Sequence, residues 1–183
     1  VSQPIVFSGP SGVGKDTLLE AWFARNDRLK RVVTCTTRQP REGELSGVDY
    51  HFCAVPEFEE LVREDKLLEH KNVHGNLYGS PKADVEQMMK QGLWPVLKID
   101  VQGGLEVIEK LPQCISIFVL PPSREELAQR LRQRGTDDAT SIELRLKNAE
   151  EELKAAERYA HQVVNDQVGR AVDELEQVLR GYG

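Results

Sequence analysis

Apolar positions along the chain fall into two alternating rhythms. Gln3-Pro-Ile-Val-Phe-Ser8 is a short continuous apolar run that halts at Gly9, which predicts a buried strand. Past the following glycines, Leu18, Leu19, Trp22 and Phe23 recur at helical spacing to about Asn26. Pro95-Val-Leu-Lys-Ile-Asp100 and Cys114-Ile-Ser-Ile-Phe-Val-Leu120 are two more runs of strand length. Residues 101–111, between them, carry Leu105 and Ile108 on a helical stripe. Gln162-Val-Val164 reads as a last short strand, and residues 168–179 place Val172, Leu175 and Leu179 on one face of a closing helix. Strands alternating with helices imply an α/β fold with parallel strands joined by crossover helices.

Two stretches break the rhythm. Residues 34–80 show little helical periodicity before Pro56 and are dense in Arg, Gly, Tyr and Pro. That is too long for a plain loop in a compact domain, so a partly β inserted subdomain is expected, with a helix near residues 56–64. Residues 124–145 are helical at both ends and interrupted by Arg134-Gly-Thr-Asp-Asp138, the pattern of an arginine-bearing lid. No internal repeat or low-complexity segment is present. The expected organisation is one domain over residues 1–183. Its core covers about 1–33, 81–123 and 146–183, its inserted subdomain about 34–80 and its lid about 124–145.

Composition narrows the class. At 183 residues the chain matches one domain of about 100–200 residues. Its 30% charged and 39% hydrophobic residues fit a soluble globular protein rather than a disordered one. A net charge of -6 disfavours a broad nucleic-acid surface. Cys35, Cys53 and Cys114 are odd in number and form no CxxC pair, which predicts reduced thiols rather than disulfides or zinc. His51, His70, His74 and His161 have no metal-like spacing. No apolar run spans a bilayer and no signal-peptide pattern opens the chain, so the expectation is a cytoplasmic protein without membrane or nucleic-acid partners.

The candidate chemistry begins after the first strand. Gly9-Pro-Ser-Gly-Val-Gly14-Lys15 fits GxxxxGK between a strand and a helix. Its glycines let backbone N–H groups converge on phosphate oxygens, the helix N-terminus adds positive partial charge, and Lys15 reaches the outer phosphates. Gly9, Ser11, Gly12, Val13, Gly14, Lys15, Asp16 and Thr17 are therefore the candidate triphosphate loop. After the lysine the pattern asks for a Ser or Thr hydroxyl to ligate Mg²⁺, whereas this chain has Asp16 followed by Thr17.

Thr36-Thr-Arg-Gln-Pro-Arg41-Glu-Gly-Glu44 and Gly47-Val-Asp-Tyr50-His-Phe52 form the second motif. Two arginines three apart can fork around one phosphate, and Tyr50 can add a hydroxyl. A solvated charged hairpin would give the same composition. Together with the phosphate loop, however, this segment resembles the guanylate kinase family. The resemblance runs nearly the full length, through Glu69, Gly75-Asn-Leu-Tyr78-Gly-Ser80, Asp100-Val-Gln-Gly103, Pro121-Pro-Ser123, Arg130-Leu-Arg-Gln-Arg134-Gly-Thr-Asp137, Arg145-Leu146 and Val164-Asn-Asp166.

The resemblance implies a parallel-sheet P-loop kinase core with an inserted GMP-binding subdomain and a helical lid. It implies ATP-dependent phosphorylation of GMP, and of dGMP, to the diphosphate, with Mg²⁺ accompanying ATP. It assigns Arg38, Arg41, Tyr50 and Tyr78 to the GMP phosphate, Thr34, Glu69 and Ser80 to the guanine, and Asp100 to the GMP site. Arg130, Arg134 and Arg145 match lid arginines that close on the triphosphate, and Asn165 matches a loop near adenine. Lys15, Arg38, Arg134 and Arg145 are the expected catalytic set. The guanine assignment is chemically sensible, because N1–H and the 2-amino group are adjacent donors that one carboxylate can accept together.

Two residues depart from the family. Asp16 replaces a hydroxyl, and Lys98 stands where an acid is usual. Both lie at the same edge of the expected sheet, so Lys98 can pair with Asp16; Asp16 could instead face Mg²⁺. Two rivals stay open at this level: a non-enzymatic partner-binding module, and a kinase for another phosphorylated acceptor such as a ribosyl phosphate. The chain is compatible with a monomer or a homodimer.

Overall fold

A computed structural model describes residues 2–133 and 139–183. In chain order its first half comprises β1 (Ile5–Ser8), α1 (Lys15–Arg25), β2 (Leu29–Arg31), β3 (Cys35–Thr36), β4 (His51–Phe52), α2 (Val55–Arg63), β5 (Leu67–Val73), β6 (Asn76–Pro81) and α3 (Lys82–Lys90). The rest comprises β7 (Trp94–Lys98), α4 (Val101–Lys110), β8 (Ile115–Leu120), α5 (Arg124–Gln133), α6 (Ala139–Leu153), a 3₁₀ turn (Lys154–Arg158), β9 (His161–Val164) and α7 (Val168–Arg180).

The main sheet has the order β2-β7-β1-β8-β9, and all its pairs are parallel. Helices cover both faces, which is why β1 is buried along its length and its Ile5, Val6 and Phe7 are apolar in unbroken succession rather than alternating with polar residues. Side chains of a strand point to opposite faces in turn. Ile5 and Phe7 therefore pack with Leu18 and Trp22 of α1 and Leu175 of α7, while Val6 packs with Leu97, Val107 of α4 and Phe118. Each such fully buried side chain contributes about 1.5–3 kcal/mol. The strand order leaves β1 between β7 and β8, so the chain departs to both sides of β1 and opens a crevice at the carboxyl ends of these strands.

A second, four-stranded sheet has the order β4-β3-β6-β5. Its β5–β6 hairpin turns through His74 and Gly75 at φ 51° and 83°, the paired positive angles of a two-residue type I′ turn. Phe58 of α2, Leu67 and Cys35 form its small core. Two elements escaped sequence reading. β2 is three residues long with two exposed charges, and α3 buries only Val85. Arg134-Gly-Thr-Asp-Asp138, the expected interruption of the lid, lies outside the described residues. No described helix is long and apolar enough to cross a membrane.

Candidate active site

The carboxyl end of β1 runs directly into the glycine loop. Gly9 has φ 151°, and the Val119 carbonyl oxygen lies 2.6 Å from where a Cβ would stand, so strand β8 leaves no room for a side chain. Gly14, at φ 88°, precedes α1 and supplies no side-chain cap. The first-turn N–H groups of α1 thus have no side-chain acceptor there, the arrangement that favours an anion. The Lys15 ammonium donates to the Gly9 and Pro10 carbonyls at 2.5 and 3.0 Å.

The loop is also held from behind. Val13 is fully buried, and its carbonyl accepts from Asn165 Nδ2 at 2.9 Å and Arg130 Nη1 at 3.2 Å. Arg130 also bonds the Asn165 carbonyl at 3.2 Å and Glu126 at 2.6 Å. Asn165 and Arg130, expected beside the nucleotide, here brace the loop's rear. Ser11 and Thr17 are exposed, and Ser11 alone of the two lines the adjoining cavity.

Asp16, in the first turn of α1, forms an ion pair with Lys98, the last residue of β7. The sheet sets this meeting, since β7 lies beside β1 with Lys98 opposite Phe7. Partial burial pulls the Asp16 carboxyl up, but the Lys98 hydrogen bond and charge, with Arg31 and Lys15, outweigh it and hold the group below its usual range.

On the opposite wall, Glu69 of β5 is 3% exposed. Its Oε1 accepts the Ser80 hydroxyl at 2.7 Å across the β5–β6 pair. Burial pushes the Glu69 carboxyl up, while Ser80 and the charge of Lys71 pull it back. Lys71 itself donates to Asp100 Oδ1 at 2.7 Å. Tyr50 and Tyr78 meet edge-on with ring centroids 6.1 Å apart, and the Arg38 guanidinium sits 5.2 Å from the Tyr50 ring centre. Glu44 gathers the arginine motif: one oxygen takes Arg38 Nη2 at 2.8 Å and the other the Arg41 backbone N–H at 2.7 Å.

One cavity of about 500 Å³ joins these walls. Its lining includes Gly9, Ser11, Gly12, Gly14, Lys15 and Asp16 from the loop, and Thr34, Tyr50, Glu69, Tyr78 and Asp100 from the other side. Arg38, Arg41 and Ser80 are not part of that lining. Arg145 lies half-buried on α6 and is not part of the lining, and Arg134 is outside the described residues. Among the described residues no group of three or more His, Cys, Asp or Glu side chains is placed to hold a metal ion.

Three charged lining residues were not singled out from sequence: Arg31, Lys71 and Glu152. Burial pushes the Glu152 carboxyl up, against the pull of the Lys15 charge and the Ser11 backbone N–H. Its one signal is position, seven residues beyond Arg145 and so on the same helical face, but it is hidden in the run Glu150-Glu151-Glu152. Arg31 directly follows Lys30 in a three-residue strand, and Lys71 lies between His70 and Asn72 in β5, so neither gives a signal.

Comparison with known proteins bears on this cavity. A family model described as guanylate kinase matches residues 1–182. The guanylate kinase of Gloeobacter violaceus is 49% identical over 179 residues, covering 98% of this chain and 87% of the relative. That of Clostridium perfringens strain SM101 is 46% identical over 175 residues, covering 96% and 81%. The crystal structure of guanylate kinase from Anaplasma phagocytophilum superposes with a TM-score of 0.73 at 33% identity, covering 100% of this chain and 86% of that one.

Proposed function

The chain belongs to the guanylate kinase family, and we propose that its cavity seats ATP on the loop of residues 9–17 and GMP against Glu69 and the Arg38–Arg41–Tyr50–Tyr78 cluster. The enzyme transfers a phosphoryl group from ATP to GMP, giving ADP and GDP. The observation that carries the residue assignment is the continuous cavity in which Lys15 and Glu69 share one space.

In this reading a GMP phosphate oxygen attacks the γ-phosphorus of ATP, the new O–P bond forms, and the bond to the β-bridging oxygen breaks as ADP leaves. The attacking oxygen is already anionic at neutral pH, so no general base is needed. The protein's contribution is alignment, charge neutralisation and exclusion of water. Lys15 leaves its carbonyl partners for the outer phosphates. Arg38 and Arg41 offset repulsion between the two anionic substrates, with Tyr50 and Tyr78 fixing the acceptor phosphate. Glu69 accepts the guanine N1–H and 2-amino group, Ser80 orients Glu69, and Thr34 and Asp100 complete the acceptor site. Arg130, Arg134 and Arg145 belong to the lid, and Asn165 to the adenine end. The lid and the residue 34–80 subdomain close over both substrates.

Hard oxygen donors suit Mg²⁺, and a site with few protein ligands suits an ion that keeps waters and phosphate oxygens. Asp16 is the loop residue that would face it once released from Lys98, and with so few protein ligands the ion would enter with ATP. When bound it neutralises charge on the transferring group.

An acceptor panel tests the assignment. ADP release is followed with GMP, dGMP, IMP and AMP under Mg–ATP. GMP and dGMP should support turnover, IMP much less, and AMP almost none. Comparable turnover with AMP would refute Glu69 as the base reader, and ADP release independent of acceptor would refute the shared cavity.

A further inference from the structure

The charges lining the cavity do not sort as a metal site would. Lys71 is matched with Asp100 and Glu69 with Ser80 on the acceptor side. At the loop end, the loop's single acidic residue, Asp16, is matched with Lys98, and Arg31 and Lys15 also act on it. Lys98, opposite Phe7 on the neighbouring strand, therefore sets a cation beside the loop's carboxylate. A divalent ion held between these two residues would meet the Lys98 ammonium, which repels it.

The Lys98 stem is fixed at its base by the β1–β7 ladder, and its side chain is 22% exposed against 62% for Asp16. A lysine ammonium is a point charge on a flexible four-carbon stem, able to change partners by rotation. An ion pair this open to water contributes little, so breaking it costs little.

We propose that Lys98 is a resident counter-charge for the triphosphate, turning from Asp16 to a phosphate oxygen when the nucleotide binds, so that this chain holds ATP with a reduced need for a divalent ion. The same exchange frees the Asp16 carboxylate, leaving it available to the ion that ATP carries. Asp16 and Lys98 then act as one exchangeable pair, which accounts for both departures from the family pattern together. The proposal rests on the reading of residues 9–17 as the triphosphate seat.

Isothermal titration of the whole chain with ATP, in Mg²⁺ and separately in EDTA, tests it. Wild type should bind metal-free ATP within about tenfold of Mg–ATP, the scale of one unit charge a few ångströms away in a half-exposed site. Lys98→Met should lose roughly tenfold in EDTA while changing little in Mg²⁺. Asp16→Asn, which leaves the ammonium unengaged, should bind metal-free ATP more tightly than wild type. GMP titration of each variant serves as the folding control. Equal affinity of wild type and Lys98→Met in EDTA, or weaker metal-free binding by Asp16→Asn, overturns the inference alone. Failure of wild type to bind ATP even with Mg²⁺ refutes the reading of the loop, and the inference falls with it.

Discussion

Replacing Glu69 by Gln changes one oxygen to an NH₂ group and tests the acceptor assignment sharply. The carboxylate is buried, with Oε1 already committed to the Ser80 hydroxyl at 2.7 Å. In the Glu69→Gln variant, the carbonyl oxygen of the new amide keeps the Ser80 donor, because an NH₂ group placed there would leave the Ser80 proton without an acceptor. The NH₂ group then falls where Oε2 was and faces the guanine donors, donor against donor. A hydrogen bond to a charged group contributes about 1.5–3 kcal/mol, and an unpaired buried donor costs about 1–3 kcal/mol. The expected loss is about 3–4 kcal/mol in kcat/KM for GMP, roughly 10²- to 10³-fold, with AMP turnover little changed.

Stability should move the other way. Burial raises the Glu69 carboxyl, so the native state binds that proton more tightly than the unfolded chain. This contribution favours the fold below the unfolded value and is lost as pH rises through the folded one. Above the folded value the ionised group weighs against folding, so Glu69→Gln should melt at or above wild type there, and the gap should close in acid. The assays are coupled ADP release with GMP and AMP, and thermal melts across pH. A GMP kcat/KM within about threefold of wild type would refute the base-reading role.

Three further outcomes follow. GMP affinity should weaken as pH falls into the range where Glu69 protonates, over and above the titration of GMP itself; Glu69→Gln should lack this added limb, and Lys71→Met should move it to higher pH, since Lys71 pulls the Glu69 carboxyl down. Gly104→Ala should destabilise the protein by about 2–4 kcal/mol in urea titrations despite better helix propensity, through overpacking and a lost buried bond. The reason is that its Cβ would stand 2.1 Å from the Tyr159 hydroxyl, which donates to the Val101 carbonyl at 3.0 Å; a variant as stable as wild type would contradict that contact. Asn165→Ala should raise KM for ATP several-fold at unchanged KM for GMP, because the Val13 carbonyl loses one of its two side-chain donors; matched shifts in both constants would place Asn165 elsewhere in the mechanism.

Much of the fold was legible because burial on both faces of a parallel sheet demands apolar runs. β1, β7 and β8 announce themselves in this way, and α4 and α7 show one apolar stripe each. β2 and α3 were not legible, since an edge strand with one buried residue and a helix with one buried residue leave no periodic trace. The phosphate loop was legible for a different reason: Gly9, Gly12 and Gly14 take positive φ, a local steric demand, although β8 also closes on Gly9.

The sequence by itself determined the class of chemistry, because GxxxxGK and the arginine–tyrosine segment carry their functional groups in short, fixed spacings. Which groups meet was decided by the tertiary structure. Glu69 with Ser80, Lys71 with Asp100, and Asp16 with Lys98 lie 11, 29 and 82 positions apart. Only strand register and sheet order bring such partners within a hydrogen bond. Asn165, distant in sequence from the loop, is placed on Val13 by β9 lying beside β8. Glu152 reaches the cavity because the last turn of α6 is brought beside the Ser11 backbone, a placement no local pattern of charges encodes. Pairing over such distances is a property of packing, where a side chain's partner is set by the backbone that carries it rather than by its neighbours in the chain.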